Sequence, residues 1–341
     1  MVDVRPIIGI TMGDPAGIGP EIILLALRKP SIYKLCRPIV IGDLNILNAA
    51  KTVVQSRLHI KSLKDPLEGI YKLGSIDVLN LSEITPDPSV WGHPTVETGK
   101  AMVNNIEFAS DLAVQKRISA MVTCPINKTA MQIAGCRYSG HTELLAERTN
   151  TGTFSMMLAG NRLRVVLVTI HVALKKVPAL LSAPKVLRTI KLTWQALHNR
   201  FGLETPRIAV AALNPHAGEG GMFGSEEKNI ILPAIQAAEN EGIDVKGPLP
   251  PDTVFYQAAS GHYDAVVSMY HDQGLIPFKL LHFHNGVNVT LGLPIIRTSV
   301  DHGTAYDIAG TGSAHPGSLI AAITMAAQQA VYRQENIGKR N

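Results

Sequence analysis

Aromatic residues are scarce and cysteine is nearly absent. Phe, Trp and Tyr make up 5% of the 341 residues, too few for the stacking platform that single-stranded nucleic acids bind. The three cysteines, Cys36, Cys124 and Cys136, are an odd number without metal-type spacing, and the N-terminus lacks the charged-then-apolar layout of a signal peptide. A reducing cytoplasm is therefore expected. No apolar run reaches the ~20 residues of a membrane-spanning helix; Leu319 to Ala327 is interrupted well before that. Also missing are a fixed-period repeat, a low-complexity segment and the Gly-x-Gly-x-x-Gly fingerprint of a dinucleotide fold. Neither nucleic acid nor membrane is an expected partner.

What is present is enough apolar residue, 46%, to fill a substantial core, and a formal charge of +5. Lys and Arg are spread along the chain, so small anionic ligands fit better than a polyanion. Strand-like runs alternate with helical ones, which makes the fold class α/β. Pro6-Ile7-Ile8-Gly9-Ile10-Thr11 has a buried-strand pattern and leads into Gly13-Asp14-Pro15-Ala16-Gly17-Ile18-Gly19-Pro20-Glu21 and an apolar helical run to Leu27. That helix N-terminus could receive an anion. Further strands are expected at Ile39–Asp43, Ile76–Leu79 and Ser119–Cys124, and helices at Thr98–Lys116, Val186–Phe201 and Glu226–Glu241. Pro86, Pro88 and Pro94 mark a surface loop.

Three predicted strands end in histidine. Leu163–Ile170 ends in His171, Ile208–Leu213 leads to His216, and Ala265–Tyr270 ends in His271. Parallel strands bring their C-terminal ends to one edge, where ligands bind in α/β sheets. Three imidazoles and an open fourth position describe a catalytic divalent site. Against this, loop histidines often only cap or hydrogen-bond locally, and His302, His282, His284 and His93 compete for the role. Lys279, Asn288 and Arg297 follow His271 closely and suit a phosphorylated acid, although each could be an ordinary surface residue. His141-Thr142-Glu143 sits at an apparent helix start, where Thr142 could simply be an N-cap. Asp252, just after Pro250 and Pro251, offers a carboxylate or another cap.

Across nearly its whole length the chain resembles the 4-hydroxythreonine-4-phosphate dehydrogenase family. The resemblance is carried by Gly13–Glu21, Gly140-His141-Thr142-Glu143, Asn214-Pro215-His216-Ala217-Gly218-Glu219, Tyr270-His271-Asp272-Gln273-Gly274 and Arg297–Ala305. It implies an isocitrate/isopropylmalate-dehydrogenase-like fold of two α/β/α domains with the active site in the cleft between them. Residues 1–128 with 301–341 would form the cofactor side, and 129–300 the metal, substrate and dimer side. It implies a homodimer with shared sites and an NAD-dependent oxidation with decarboxylation, NADP being the alternative cofactor. One divalent ion per site (Zn, Mg, Co or Mn) would be held by His171, His216 and His271. His141, Thr142, Lys279, Asn288 and Arg297 would bind the small phosphorylated hydroxy-acid substrate. His302, Gly303 and Asp307 would lie in the adenosine-side cofactor loop, and Asp252 or Asp272 would act as base or hold a ligand imidazole.

A close branch, similar around Pro250–Thr253 and Ile276–Leu281, oxidises threonate or erythronate 4-phosphate, and these motifs do not separate the two substrates. Two other classes stay open on the residues alone. One is a metal-dependent phosphatase, which phosphate release without NAD would reveal. The other is a non-catalytic binder of sugar phosphates, which metal analysis would reveal.

Overall fold

Buried apolar runs dictate the strands. β1 (Ile7–Thr11) is buried at all 5 positions, as a strand covered on both faces must be. The computed structural model describes residues 3–138 and 140–338, which form two compact units. One is the chain to Thr153 with Leu293–Val331, and the other is Phe154–Gly292 with the described residues from Tyr332 on. Residues 129–153 and 293–300, grouped from the sequence with the second domain, cluster in the first unit.

In the first unit β1 pairs in parallel with β2 (Arg37–Asp43), which pairs with β4 (Ser75–Ser82); β3 (His59–Leu63) flanks β4, and β5 (Ala120–Thr123) flanks β1 on its other side. Its helices are α1 (Gly19–Ala26), α2 (Pro30–Leu35), α3 (Leu44–Val53), α4 (Val96–Val114), α5 (Lys128–Ile133) and α6 (His141–Arg148). The start of α4 is fixed by a reciprocal cap: Thr98 N donates to Thr95 Oγ1 at 3.2 Å and Thr95 N to Thr98 Oγ1 at 2.9 Å. These bonds satisfy two donors that a helix N-terminus otherwise leaves open. Packing of α5 and α6 on α4 is what draws 129–153 into this unit.

The second unit holds β6 (Ser155–Ala159), β7 (Arg164–Leu167), β8 (Ile208–Ala211), β9 (Val245–Leu249), β10 (Ala265–Ser268) and β11 (Val287–Leu291), in the spatial order β11-β6-β7-β10-β8-β9. Its helices are α7 (Val177–Leu180), α8 (Ala183–Asn199), α9 (Leu232–Asn240), α10 (Pro251–Ala259) and α11 (His271–His282). The chain then returns through β12 (Arg297–Val300), parallel to β5, and ends in α12 (Gly317–Gly338). Among the described residues no helix is long and apolar enough to cross a membrane.

The alternation of strand and helix pointed to parallel pairing throughout, and here the structure differs. β6 runs antiparallel to both β7 and β11. The connection from β6 to β7 is a tight turn closed by Gly160 N donating to Leu163 O at 2.9 Å, and a link that short joins only antiparallel strands. The three strands that matter for the site do run parallel: β10 pairs with β7 on one side and β8 on the other. Val254, Phe255 and Ala258 of α10 and Phe278 of α11 pack with Val165, Leu167 and Val266 into one buried cluster. Each large side chain so buried contributes about 1.5–3 kcal/mol. Helix α11 comes close to the sheet at Gly274, where an added Cβ would lie 2.3 Å from Val165 Cγ1.

Candidate active site

Because β7, β10 and β8 are parallel neighbours, their C-terminal ends share one edge of the second unit. The strands are shorter than their sequence suggested: β7 stops at Leu167, and Val168 and Thr169 continue beside β10 through Val168 N to Ser268 O at 2.9 Å and Thr169 N to Met269 O at 3.2 Å. His171 follows, and His271 opens α11. Their ring centroids are 5.6 Å apart with planes inclined by 43°. Two imidazoles sharing one ion at about 2.1 Å from each nitrogen have centroids within roughly 6 Å, so this pair fits a divalent cation. His271 Nδ1 lies 2.7 Å from Asp272 Oδ1. A carboxylate there selects the tautomer protonated at Nδ1 and leaves Nε2 as the ligating atom. Both histidines and Asp272 line a cleft of ≈ 440 Å³ with Tyr270 and the apolar Ile170, Val172, Leu174 and Val177.

His216 lies beside Phe223, with ring centroids 6.5 Å apart. It is exposed on the turn Pro215–Gly221, where His216, Ala217, Gly218, Glu219 and Gly220 all have positive φ, between 44° and 81°. Such a run is costly for residues with a Cβ and persists only where the surroundings enforce it. At the root of the turn the buried carboxylate of Glu227 accepts from Leu213 N at 2.9 Å and Asn214 N at 2.7 Å. Among the described residues, no group of three or more His, Cys, Asp or Glu could hold a metal within one chain.

In the first unit Arg297 opens β12 and is only 2% exposed. Its Nη2 and Nε donate to Thr123 Oγ1 at 2.7 and 3.1 Å. Burial lowers the guanidinium pKa to about 9, and the charge of Glu143 opposes that fall. His141, buried at the start of α6, is held well below the usual imidazole range by burial first and by the charge of Arg297 second. It is therefore neutral near pH 7, and its Nε2 is buried without a hydrogen-bond partner among the described residues. Thr142 and Glu143 follow in the first turn of α6, whose N-cap is Gly140 rather than Thr142. A buried cation beside an unsatisfied imidazole nitrogen suits an anionic, hydrogen-bonding ligand.

Lys279 and Asn288 belong to the second unit. Lys279 lies on α11 with Nζ 5.7 Å from the Phe283 ring centroid, and Asn288 lies in β11 with a buried Oδ1 that has no partner among the described residues. Asp252 is exposed in the first turn of α10, a helix that packs against the Pro215–Gly221 turn. Of the competing histidines, His282 is buried against Phe278, His284 lies against Phe283, and His93 and His302 bond to nearby carbonyls.

His302, Gly303 and Asp307 are exposed on a loop after β12, and the loop is held by the N-terminal motif. Tyr306 Oη donates to Asp14 Oδ2 at 2.5 Å, while Glu21 accepts from Gly310 N at 2.6 Å and Gly312 N at 2.8 Å. A pinned loop with outward polar groups suits the polar face of a dinucleotide. The expected anion site at the start of α1 is corrected by the same contacts. Asp14 and Glu21 bring two buried carboxylates to that turn, so an outside anion would meet charge of its own sign. Burial raises the pKa of both.

Thr123, Glu227 and Gln273 escaped the sequence reading. Glu227 sits in a run that reads as a solvated helix face, and only the tertiary fold shows its role. Gln273 had a visible signal, since it lies in the Tyr270–Gly274 motif.

A family model described as "Pyridoxal phosphate biosynthetic protein PdxA" matches residues 34–326. A 4-hydroxythreonine-4-phosphate dehydrogenase of Desulfosudis oleivorans is 60% identical over 98% of this chain and 98% of its own. A D-threonate 4-phosphate dehydrogenase of Cupriavidus necator is 46% identical over 98% and 100%. The crystal structure of the 4-hydroxythreonine-4-phosphate dehydrogenase from Klebsiella pneumoniae superposes with a TM-score of 0.89 at 41% identity, covering 97% of this chain and 99% of that one. A beta-decarboxylating dehydrogenase from Thermococcus kodakarensis shares the fold alone, at a TM-score of 0.50 and 15% identity over 96% and 83%. With a family model covering most of its length and relatives this similar end to end, the chain belongs to the PdxA family and has the fold of the isocitrate/isopropylmalate-dehydrogenase class.

Proposed function

We propose that this enzyme oxidises 4-phosphooxy-L-threonine, with loss of carbon dioxide, to 3-amino-2-oxopropyl phosphate on the route to pyridoxal phosphate. NAD would be the oxidant, and one divalent ion per site would be held by His171, His216 and His271. The observation that carries this reading is the end-to-end identity of 60% to a relative bearing that activity in its name, against 46% for the one named for D-threonate 4-phosphate. The latter is the second reading, with dihydroxyacetone phosphate as product.

When bound, the ion supplies Lewis acidity toward the substrate's hydroxyl and carboxylate oxygens, and NAD supplies the hydride acceptor. The chain's own residues do the rest. Arg297 offers a charge already stripped of water, so an incoming anion recovers interaction that burial removed. Neutral His141 adds a hydrogen bond without a competing charge, and Thr142, Lys279 and Asn288 complete the grip on the phosphorylated acid. Asp272 fixes the His271 imidazole through the 2.7 Å contact. Asp252 is the candidate proton acceptor, and His302, Gly303 and Asp307 present the cofactor loop.

The sites are proposed to be shared by two subunits. Among the described residues His171 and His271 pair without a third ligand side chain grouped beside them, and a second subunit would supply it. Helix α11, which begins at His271, and the residue that caps it also expose Ile276, Leu280 and Phe283 at 61%, 83% and 71%. Apolar surface of this extent beside a polar cluster is characteristic of an interface.

The test is NADH and carbon dioxide formation on 4-phosphooxy-L-threonine and on D-threonate 4-phosphate in parallel, with and without a chelator. Equimolar products, chelator sensitivity and a higher kcat/KM for the amino acid support the proposal. A higher kcat/KM for the sugar acid selects the second reading, and phosphate release without NAD reduction overturns both.

A further inference from the structure

Side chains, not only main chain, tie together the strand ends that carry the three histidines. Gln273 is 8% exposed. Its Oε1 accepts from Met269 N at 2.7 Å and its Nε2 donates to Ala212 O at 2.6 Å. It therefore bridges the end of β10, two residues before His271, to the end of β8, four residues before His216. Thr169 closes the other side, donating from Oγ1 to Met269 O at 2.7 Å. Met269 is thus held at its N–H by Gln273 of α11, which also reaches Ala212, and at its carbonyl by Thr169.

Glu227 extends the same girdle outward. It is 5% exposed, accepts the two backbone bonds from Leu213 and Asn214, and receives Asn214 Nδ2 at 3.0 Å. The same Nδ2 reaches Glu226 Oε2 at 2.9 Å. The carboxylate also underlies Gly218, where an added Cβ would lie 2.7 Å from Glu227 Oε2. Without this acceptor, two part-buried N–H groups at the root of the left-handed turn lose their partner, and the strained positive-φ run loses a support.

We propose that Glu227 and Gln273 are positioning residues. Glu227 fixes the turn that presents His216, and Gln273 fixes the strand end that presents His271. The inference rests on reading those histidines as ligands of one ion. Groups that orient ligands typically change metal affinity by about 10–100-fold when removed.

The experiment is a titration of metal-free, full-length protein with cobalt(II), followed by the ion's visible absorption, for wild type, Glu227→Met, Gln273→Met and Glu227→Gln. Urea unfolding of the metal-free proteins runs alongside. Both methionine variants should bind cobalt about 10–100-fold more weakly. Glu227→Gln, which keeps an oxygen for the two N–H groups, should recover much of the loss. A merely structural role would lower metal-free stability and leave cobalt affinity at the wild-type value, and that result overturns the proposal. Should Glu227→Met fail to fold, Gln273→Met decides, because it leaves the turn's own bonds intact. Wild-type protein that takes up no cobalt would instead overturn the ligand reading, and this inference with it.

Discussion

Arg297 illustrates how far a residue's type falls short of its role. From the sequence it was one of several cations near His271. In the fold it is buried, forked onto Thr123 and set beside a histidine that cannot share its charge. Arg297→Ala and Lys279→Ala should each raise KM for the phosphorylated substrate, losing a charge-assisted contact worth about 1.5–3 kcal/mol. Steady-state kinetics check this, and unchanged constants would remove both from the site. His141 yields a pH prediction. Its folded pKa lies well below the ordinary 6.5, so above that pH both folded and unfolded forms are neutral and nothing changes. As pH falls through it, the unfolded chain takes up a proton that the folded one refuses, and stability declines toward acid. His141→Asn lacks that proton site. Its unfolding free energy in urea should therefore fall less than wild type's between about pH 7 and about pH 5.

Among the elements, the tips of β7 and β10 were legible because runs rich in β-branched residues lead straight into histidine, and that of β8 because its apolar run stops at Asn214-Pro215. Helix α11 was not, since His271–His282 contains both Gly274 and Pro277, which argue against a helix interior. The fold resolves that conflict by packing. Gly274 lets α11 approach Val165 directly, and Phe278 fills the core. Two effects oppose each other in Gly274→Ala. Helix propensity favours alanine by about 1 kcal/mol, while a Cβ at 2.3 Å from Val165 Cγ1 forces repacking that costs about 1–3 kcal/mol. The clash should win, lowering the urea midpoint, and a stabilised variant would show that the helix can lift off without loss. The antiparallel β6 was illegible for a different reason, because a short apolar run carries no direction. Contacts such as Glu227 to Leu213 and Asn214 depend on tertiary structure that no local pattern records.

At the scale of the molecule, the residues proposed to bind metal and substrate fall in different units. Arg297 and His141 lie in one unit, and His171, His271, Lys279 and Asn288 in the other. The family motifs implied this residue set, but sequence distance could not say which residues meet within a chain. His171, His216 and His271 are proposed to serve one ion in a site that two subunits build together. Mixing tests it most directly. Inactive His216→Ala and inactive His271→Ala proteins are co-refolded, mixed dimers are confirmed by differential tags, and NADH formation is measured. In a mixed dimer one site keeps all three histidines and the other lacks two, so a random mixture should regain roughly a quarter of wild-type activity. Confirmed mixed dimers with no activity, or a fully active monomer in light scattering, would contradict the shared site.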